Sequence, residues 1–198
     1  MKNVRLKYFL LACVFLLFLI APFTLSFFFS SSTNGTIKVD KTIEADFINS
    51  SKKHILIFFG YVGCADVCTP ALEKLNELYE SEEFSAIKDS TDIIFVNLTP
   101  KIEASQANAF AKSFNQQFKG IYLSNKEILS IDRTFGLYFA KKLSKKNEIN
   151  HTDYLYLIQN NKDSKILKTI YSIHPLHIKN VSNDIIKLRM KGNDEYTD

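Results

Sequence analysis

Cysteine is scarce in this chain. Three occur in 198 residues, and Cys13 lies inside an apolar N-terminal run, which leaves Cys64 and Cys68 for everything downstream. A scaffold stapled by disulfides needs more cysteines at dispersed spacings, so that class is excluded. A surplus of positive charge is also missing. There are 25 Lys and Arg against 21 Asp and Glu. Lys2, Arg5 and Lys7 sit at the extreme N-terminus, and without them the balance is 22 to 21. That excludes the strongly basic face a nucleic-acid binder requires. No acid precedes Asp40, and no charge of either sign falls between Tyr8 and Phe29. No internal repeat is visible. Proline is confined to Pro22, Pro70, Pro100 and Pro175.

The uncharged stretch 8–29 is 22 residues long. As a helix it covers the ~30 Å hydrocarbon core of a bilayer. The cations before it place the N-terminus in the cytoplasm and the rest outside. A cleaved signal peptide is the competing reading, but its apolar region runs ~7–15 residues, and Phe27-Phe28-Phe29 is a poor cleavage site. Leu10-Leu11-Ala12-Cys13 resembles a lipoprotein processing site, yet the apolar run before Cys13 is too short and continues through Ile20. The expected organisation is a basic cytoplasmic N-terminus (1–7), an anchor (8–29), a Ser-rich flexible tether (30–37), one folded domain (38–191) and a frayed tail (192–198). No Arg- and Ser-rich presequence stands before the anchor, which favours a bacterial envelope over a mitochondrion.

Within the domain, 54–59 is a short apolar run expected to be a buried strand, and 71–78 repeats Leu72, Leu75 and Leu78 at helical spacing. A second buried strand is expected over 93–98. A helix over 104–118 turns Ala107, Phe110, Ala111 and Phe114 inward, and another over 126–135 stops at Gly136. Segments 154–158 and 165–170 flank Asn160-Asn161-Lys162-Asp163 as a hairpin, and 181–190 closes as a helix. Strand, helix, strand, more helix, hairpin, helix is a thioredoxin-like α/β order.

The run Gly60-Tyr61-Val62-Gly63-Cys64-Ala65-Asp66-Val67-Cys68-Thr69-Pro70 joins the first of these strands to the first helix. A thiol at a helix N-terminus is favoured as thiolate. Spacing of four places both sulfurs on one helix face, near enough to share a soft ion or to form a disulfide. Two thiolates suit an ion such as Cu(I) and need a third ligand for a trigonal site. His54, His151, His174 and His177 are available. His151 precedes the hairpin, on the loop that faces the cysteine turn in a thioredoxin-like fold. His54 opens a buried strand and is expected to be a satisfied core or strand-end histidine. A dithiol catalyst of thioredoxin type has two residues between its cysteines and a cis-proline in the facing loop. This chain has three residues between its cysteines and no proline in the loop before Tyr154, where a ligand-type residue stands instead.

Phe59 to Cys68 resembles the Sco/SenC signature, close to F-G-[YF]-x-x-C-P-D-V-C-P. Phe118-Lys119-Gly120-Ile121 and Arg133-Thr134-Phe135-Gly136-Leu137-Tyr138-Phe139 are similar to that family's middle segments. Asn150-His151-Thr152 followed by Tyr154-Leu155-Tyr156-Leu157-Ile158 is similar to its D-H-S and Y-L-[IV]-D element. The resemblance covers the exported domain. It implies a membrane-anchored, thioredoxin-like copper chaperone that supports the dinuclear copper centre of cytochrome c oxidase. Carried over residue by residue, Cys64, Cys68 and His151 become copper ligands. Asp66 matches the acid inside the signature, with a role near the metal or in partner contact, or simply as a carboxylate at a helix N-terminus. The implied partners are the copper-receiving oxidase subunit, the membrane through the anchor, and a reductant for the thiols.

Several positions depart from the pattern. Ala65 and Thr69 replace prolines, Asn150 stands where the family has Asp, and Thr99-Pro100 stands where it often has Asp-Pro. Two other readings of the same pair stay open: a thiol-disulfide reductase acting on the oxidase's copper-binding cysteines, and an envelope redox or copper sensor. His174-Pro175-Leu176-His177 is expected to be surface histidines at a proline turn. Lys141-Lys142 and Lys145-Lys146 form a basic loop that can steer docking onto an acidic partner or membrane face.

Overall fold

The computed structural model describes residues 35–99, 102–141, 149–161, 163–172 and 176–194, together with 7, 8, 11 and 14–20. The chain forms two compact units, Met1–Gly35 and Thr36–Asp198. In the first, residues 14–20 are helical. Among the described residues no helix is long and apolar enough to cross a membrane, and the rest of the expected anchor, Cys13 included, lies outside them.

The second unit is built on a six-stranded sheet. Its strands are β1 (Thr36–Ile43), β2 (His54–Gly60), β3 (Thr91–Asn97), β4 (Lys119–Tyr122), β7 (Leu155–Asn160) and β8 (Lys165–Tyr171), in spatial order β1-β8-β7-β2-β3-β4. β2, β3 and β4 run parallel, whereas β7 is antiparallel to β2 and β8 to β7. A two-stranded ribbon, β5 (Phe139–Lys141) with β6 (Ile149–His151), stands apart from the sheet. The helices are α1 (Cys68–Glu80), α2 (Glu82–Ser85), α3 (Ala104–Phe114), α4 (Asn125–Phe135) and α5 (Ile178–Asp194).

Every residue of β2 and β3 is buried, because helices cover both faces of the sheet; that is why these strands are continuous apolar runs in the sequence. Alternate residues serve opposite cores. Leu56, Phe58, Ile93 and Phe95 pack with Leu72, Leu75, Leu78, Val181 and Ile185 of α1 and α5. Ile55, Ile57, Phe59, Ile94 and Val96 pack with Ile128, Ile131 and Phe135 of α4. Each such side chain contributes about 1.5–3 kcal/mol on burial. The α/β thioredoxin-like layering expected from the sequence is present, and α4 begins at a Ser124–Glu127 capping box and ends on left-handed Gly136.

Several elements differ from expectation. α3 stops at Phe114 rather than 118. Asn115 turns extended and its side-chain amide donates to Asn76 Oδ1 and Glu80 Oε1 on α1. This stop frees Phe118 to enter the core and the next residues to form β4, an edge strand whose Lys-Gly-Ile-Tyr sequence carries no apolar periodicity. β1 extends into the expected tether; it is another edge strand, bent where Asp40 takes φ 54°. α5 continues to Asp194, so residues 192–194 are helical.

His54 is fully buried, as a strand-opening histidine should be, but it is not satisfied: neither ring nitrogen has a hydrogen-bond partner among the described residues. Desolvation, reinforced by Lys53 and Arg189, lowers its pKa from 6.5 to about 4. The folded state therefore resists a proton that the unfolded chain accepts. Stability is intact above about pH 6.5 and is lost as pH falls towards about 4, by roughly 3 kcal/mol. Urea unfolding of wild type and His54→Leu over this range should show that extra loss in wild type alone. Parallel profiles would contradict it.

Candidate metal centre

β2 and β3 end level with each other, with Gly60 opposite Asn97 in register. The Leu98 N–H donates to the Gly60 carbonyl at 2.7 Å, closing the ladder. Beyond it the Val62 N–H donates to Asn97 Oδ1 at 3.1 Å, and Asn97 Nδ2 donates to the Thr99 carbonyl at 2.7 Å. Gly63, at φ 87°, turns the chain so that Cys64 N–H donates to the Tyr61 carbonyl at 3.2 Å.

The cysteines do not share a helix face as their spacing suggested. α1 starts at Cys68 itself, and Cys64 lies in the turn before it. The sulfurs converge because that turn folds back onto the helix start. The Thr69 N–H and hydroxyl both donate to the Cys64 carbonyl, at 3.2 and 3.0 Å, and the Cys68 N–H points at Cys64 Sγ, 3.5 Å away. Both thiols are free and buried.

His151 comes from the ribbon, as the last residue of β6 opposite Phe139. Mutual bonds between Tyr138 and Thr152 tie the ribbon's base, with Thr152 N–H donating to the Tyr138 carbonyl and Tyr138 N–H to Thr152 Oγ1, both at 2.8 Å. Nδ1 of His151 lies 3.0 Å from the Thr152 carbonyl. A carbonyl only accepts, so Nδ1 carries a proton and orients Nε2 towards the sulfurs. Nε2 stands 3.7 Å from Cys68 Sγ. The Tyr61 ring stacks edge-on against the imidazole, centroids 5.9 Å apart. One ligand atom from each of Cys64, Cys68 and His151 lies within 4.8 Å of the other two.

The electrostatics separate the two thiols. The Cys68 thiol donates to Cys64 and, with His151 and the backbone N–H groups of Cys68 and Val67, outweighs burial to bring the Cys64 pKa down to about 3. Cys68 is driven above the ordinary thiol range by that same hydrogen bond and by burial. His151 is raised: burial opposes its charge, but the Cys64 sulfur and the Thr152 carbonyl prevail. Cys64 is thus the more acidic thiol, Cys68 holds its proton more firmly, and His151 is biased towards its protonated form. Two sulfurs and one imidazole nitrogen form a soft, three-coordinate donor set, and closing it on a cation displaces the Cys68 and His151 protons.

Asp66 is exposed and outside this trio, and Val67, the residue before α1, supplies no side-chain cap. His177 is exposed, while His174 lies outside the described residues, as do Lys142, Lys145 and Lys146. A cleft of about 660 Å³ lined by Ile43, Ser50 and Asn160 sits at the opposite end of β2 and touches none of the three. Sequence reasoning passed over Asn97 and Tyr61. The signal for Asn97 was present, as a polar residue inside an otherwise apolar buried strand.

The family model described as SCO1/SenC matches residues 41–186. The mitochondrial SCO1 homolog of Mus musculus is 27% identical over 167 residues, covering 76% of this chain and 56% of that protein. The chain thus spans about half the length of the curated relatives it matches. Among solved structures, Arabidopsis thaliana ScoI with copper bound aligns at TM-score 0.60 and 18% identity, over 78% of this chain and 99% of that one. Apo Sco1 from Thermus thermophilus aligns at 0.58 and 24%, over 78% and 93%. These structural likenesses establish the fold. The matched span takes in every strand of the sheet beyond the first half of β1 together with Cys64, Cys68 and His151, and the chain belongs to the SCO1/SenC family.

Proposed function

We propose that this protein is a copper metallochaperone that carries Cu(I) on Cys64, Cys68 and His151 and passes it by ligand exchange to the dinuclear copper centre of cytochrome c oxidase. The observation that carries this reading is the aim of His151: with Nδ1 committed to the Thr152 carbonyl, its Nε2 stands within 4.8 Å of both sulfurs. A relative of the same fold has been solved with copper bound. Cys64, the more acidic of the two thiols, makes the first bond. Cys68 and His151 then give up their protons and close the triangle. A receiving subunit that offers thiolates or imidazoles of its own can displace the three donors one at a time. Loading requires both thiols reduced, so the protein needs a thiol reductant as a second partner.

The thiol-disulfide reductase reading draws on the same thiolate–thiol pair, which is poised for exchange. It gives His151 no ligand role, and it lacks a proline on the facing loop. The sensor reading shares the copper site and differs only in having no receiving protein. Replacing His151 with Ala separates chaperone from reductase. Cu(I) affinity of the reduced protein should fall by at least about tenfold, the lower limit seen even for changes that only surround a metal ligand. Reduction of a test disulfide by the same preparation should change little. Unchanged copper affinity with impaired disulfide reduction would favour the enzyme.

The proposal places the domain on the outer side of a bacterial inner membrane, held by residues 8–29 as a single span. The uncharged 22-residue stretch behind three cations supports it, and the large apolar side chains of residues 14–20 are exposed. A reporter fused after Asp198 that works only when exported should be active; activity of a cytoplasm-only reporter there would refute this topology.

A further inference from the structure

The loop bearing Cys64 leaves the sheet from the last rung of the β2–β3 ladder, where Gly60 and Asn97 are partners. Past that rung no strand lies beside it, and the Val62 N–H needs an acceptor. Asn97 Oδ1 provides it, while Nδ2 of the same amide holds the Thr99 carbonyl at the start of the loop after β3. Asn97 is 0% exposed, so both outgoing loops hang on one buried planar group whose oxygen accepts and whose nitrogen donates. Asp would set an acceptor against the Thr99 carbonyl, and Leu would offer neither bond. Across the rung, Gly60 acts on the other sulfur. A Cβ on Gly60 would stand 2.6 Å from Cys68 Sγ, so only glycine lets that sulfur occupy its place.

We propose that the Gly60–Asn97 rung is the positioning element of the site. Asn97 fixes Cys64 through Val62 and Gly63, Gly60 seats Cys68, and together they hold the two sulfurs convergent on His151 Nε2. Copper affinity and the disulfide equilibrium of the pair are therefore both set on this rung. The copper half rests on the function proposed above; the disulfide half does not.

Asn97→Leu keeps the branched outline of the side chain and removes both bonds. Two quantities would be read on the full chain, well below its unfolding temperature: Cu(I) affinity of the reduced form, by competition with a chromophoric Cu(I) chelator, and the Cys64–Cys68 midpoint potential in dithiothreitol buffers. Affinity should fall at least tenfold. The disulfide should become about tenfold easier to reduce, a rise of about 30 mV for a two-electron couple. Gly60→Ala, with the Asn97 bonds intact, should move both readouts in the same direction. A residue that merely stabilises the fold would lower the melting temperature and leave both quantities of the folded protein unchanged, and that result overturns the proposal. Should Asn97→Leu fail to fold, Gly60→Ala and Asn97→Asp carry the same readouts, and unchanged values in both overturn it. Wild-type protein that binds no Cu(I) would overturn the copper reading instead, and the midpoint shift alone would then decide the role of the rung.

Discussion

A thiolate buried as deeply as Cys64, 4% exposed, is stable only if donors surround it, since moving an uncompensated charge out of water costs several kcal/mol. Cys64 draws on the Cys68 thiol, the backbone N–H groups at the start of α1 and the ring of His151. Everything distinctive in this domain serves to bring those donors to one sulfur. The same contacts shift the neighbours upward: Cys68 is raised by its bond to Cys64 and by burial, and His151 is raised against its own burial. Under the proposed function, a cation that takes the place of the Cys68 and His151 protons meets the same requirement with a stronger bond.

The sheet delivers the donors from distant parts of the sequence. Parallel pairing of β2 with β3 ends both strands at one level, so the cysteine turn and the loop after β3 emerge side by side and Asn97 can brace both. His151 arrives differently. It sits on a ribbon that has no place in the six-stranded sheet and is tied at its base by Tyr138 and Thr152. Two ligands are therefore fixed by the main core and the third by a separate element. Such a division suits the ligand exchange proposed for this site.

Much of this was legible in the sequence. The fully buried strands announced themselves as apolar runs, the helices as Leu72-Leu75-Leu78 and the run 126–135 stopped by Gly136, and the cysteine turn by its glycines. What escaped were elements whose information is not local. The edge strands β1 and β4 bury one face at most; β1 alternates Ile37, Val39 and Ile43 but carries Lys41 among them, and β4 is too short to show an apolar period. The early end of α3 depends on Asn115 reaching Asn76 and Glu80, some 35–39 residues earlier. The spacing of four between the cysteines predicted their proximity, but for the wrong reason: Cys64 reaches Cys68 from a turn, not from the same helix. His54 could be placed in the core from sequence, whereas its missing hydrogen bonds could not, because they depend on what α5 and β3 bring near it.

The central claim is that Cys64, Cys68 and His151 together form one soft metal site. X-ray absorption at the copper edge on the reduced full-length protein tests it most directly, with the oxidised protein alongside. The account predicts one Cu(I) per chain, bound by two sulfurs and one imidazole nitrogen, and no bound copper once Cys64 and Cys68 are joined as a disulfide. Copper retained in full by the oxidised protein, or a first shell without sulfur, would contradict it.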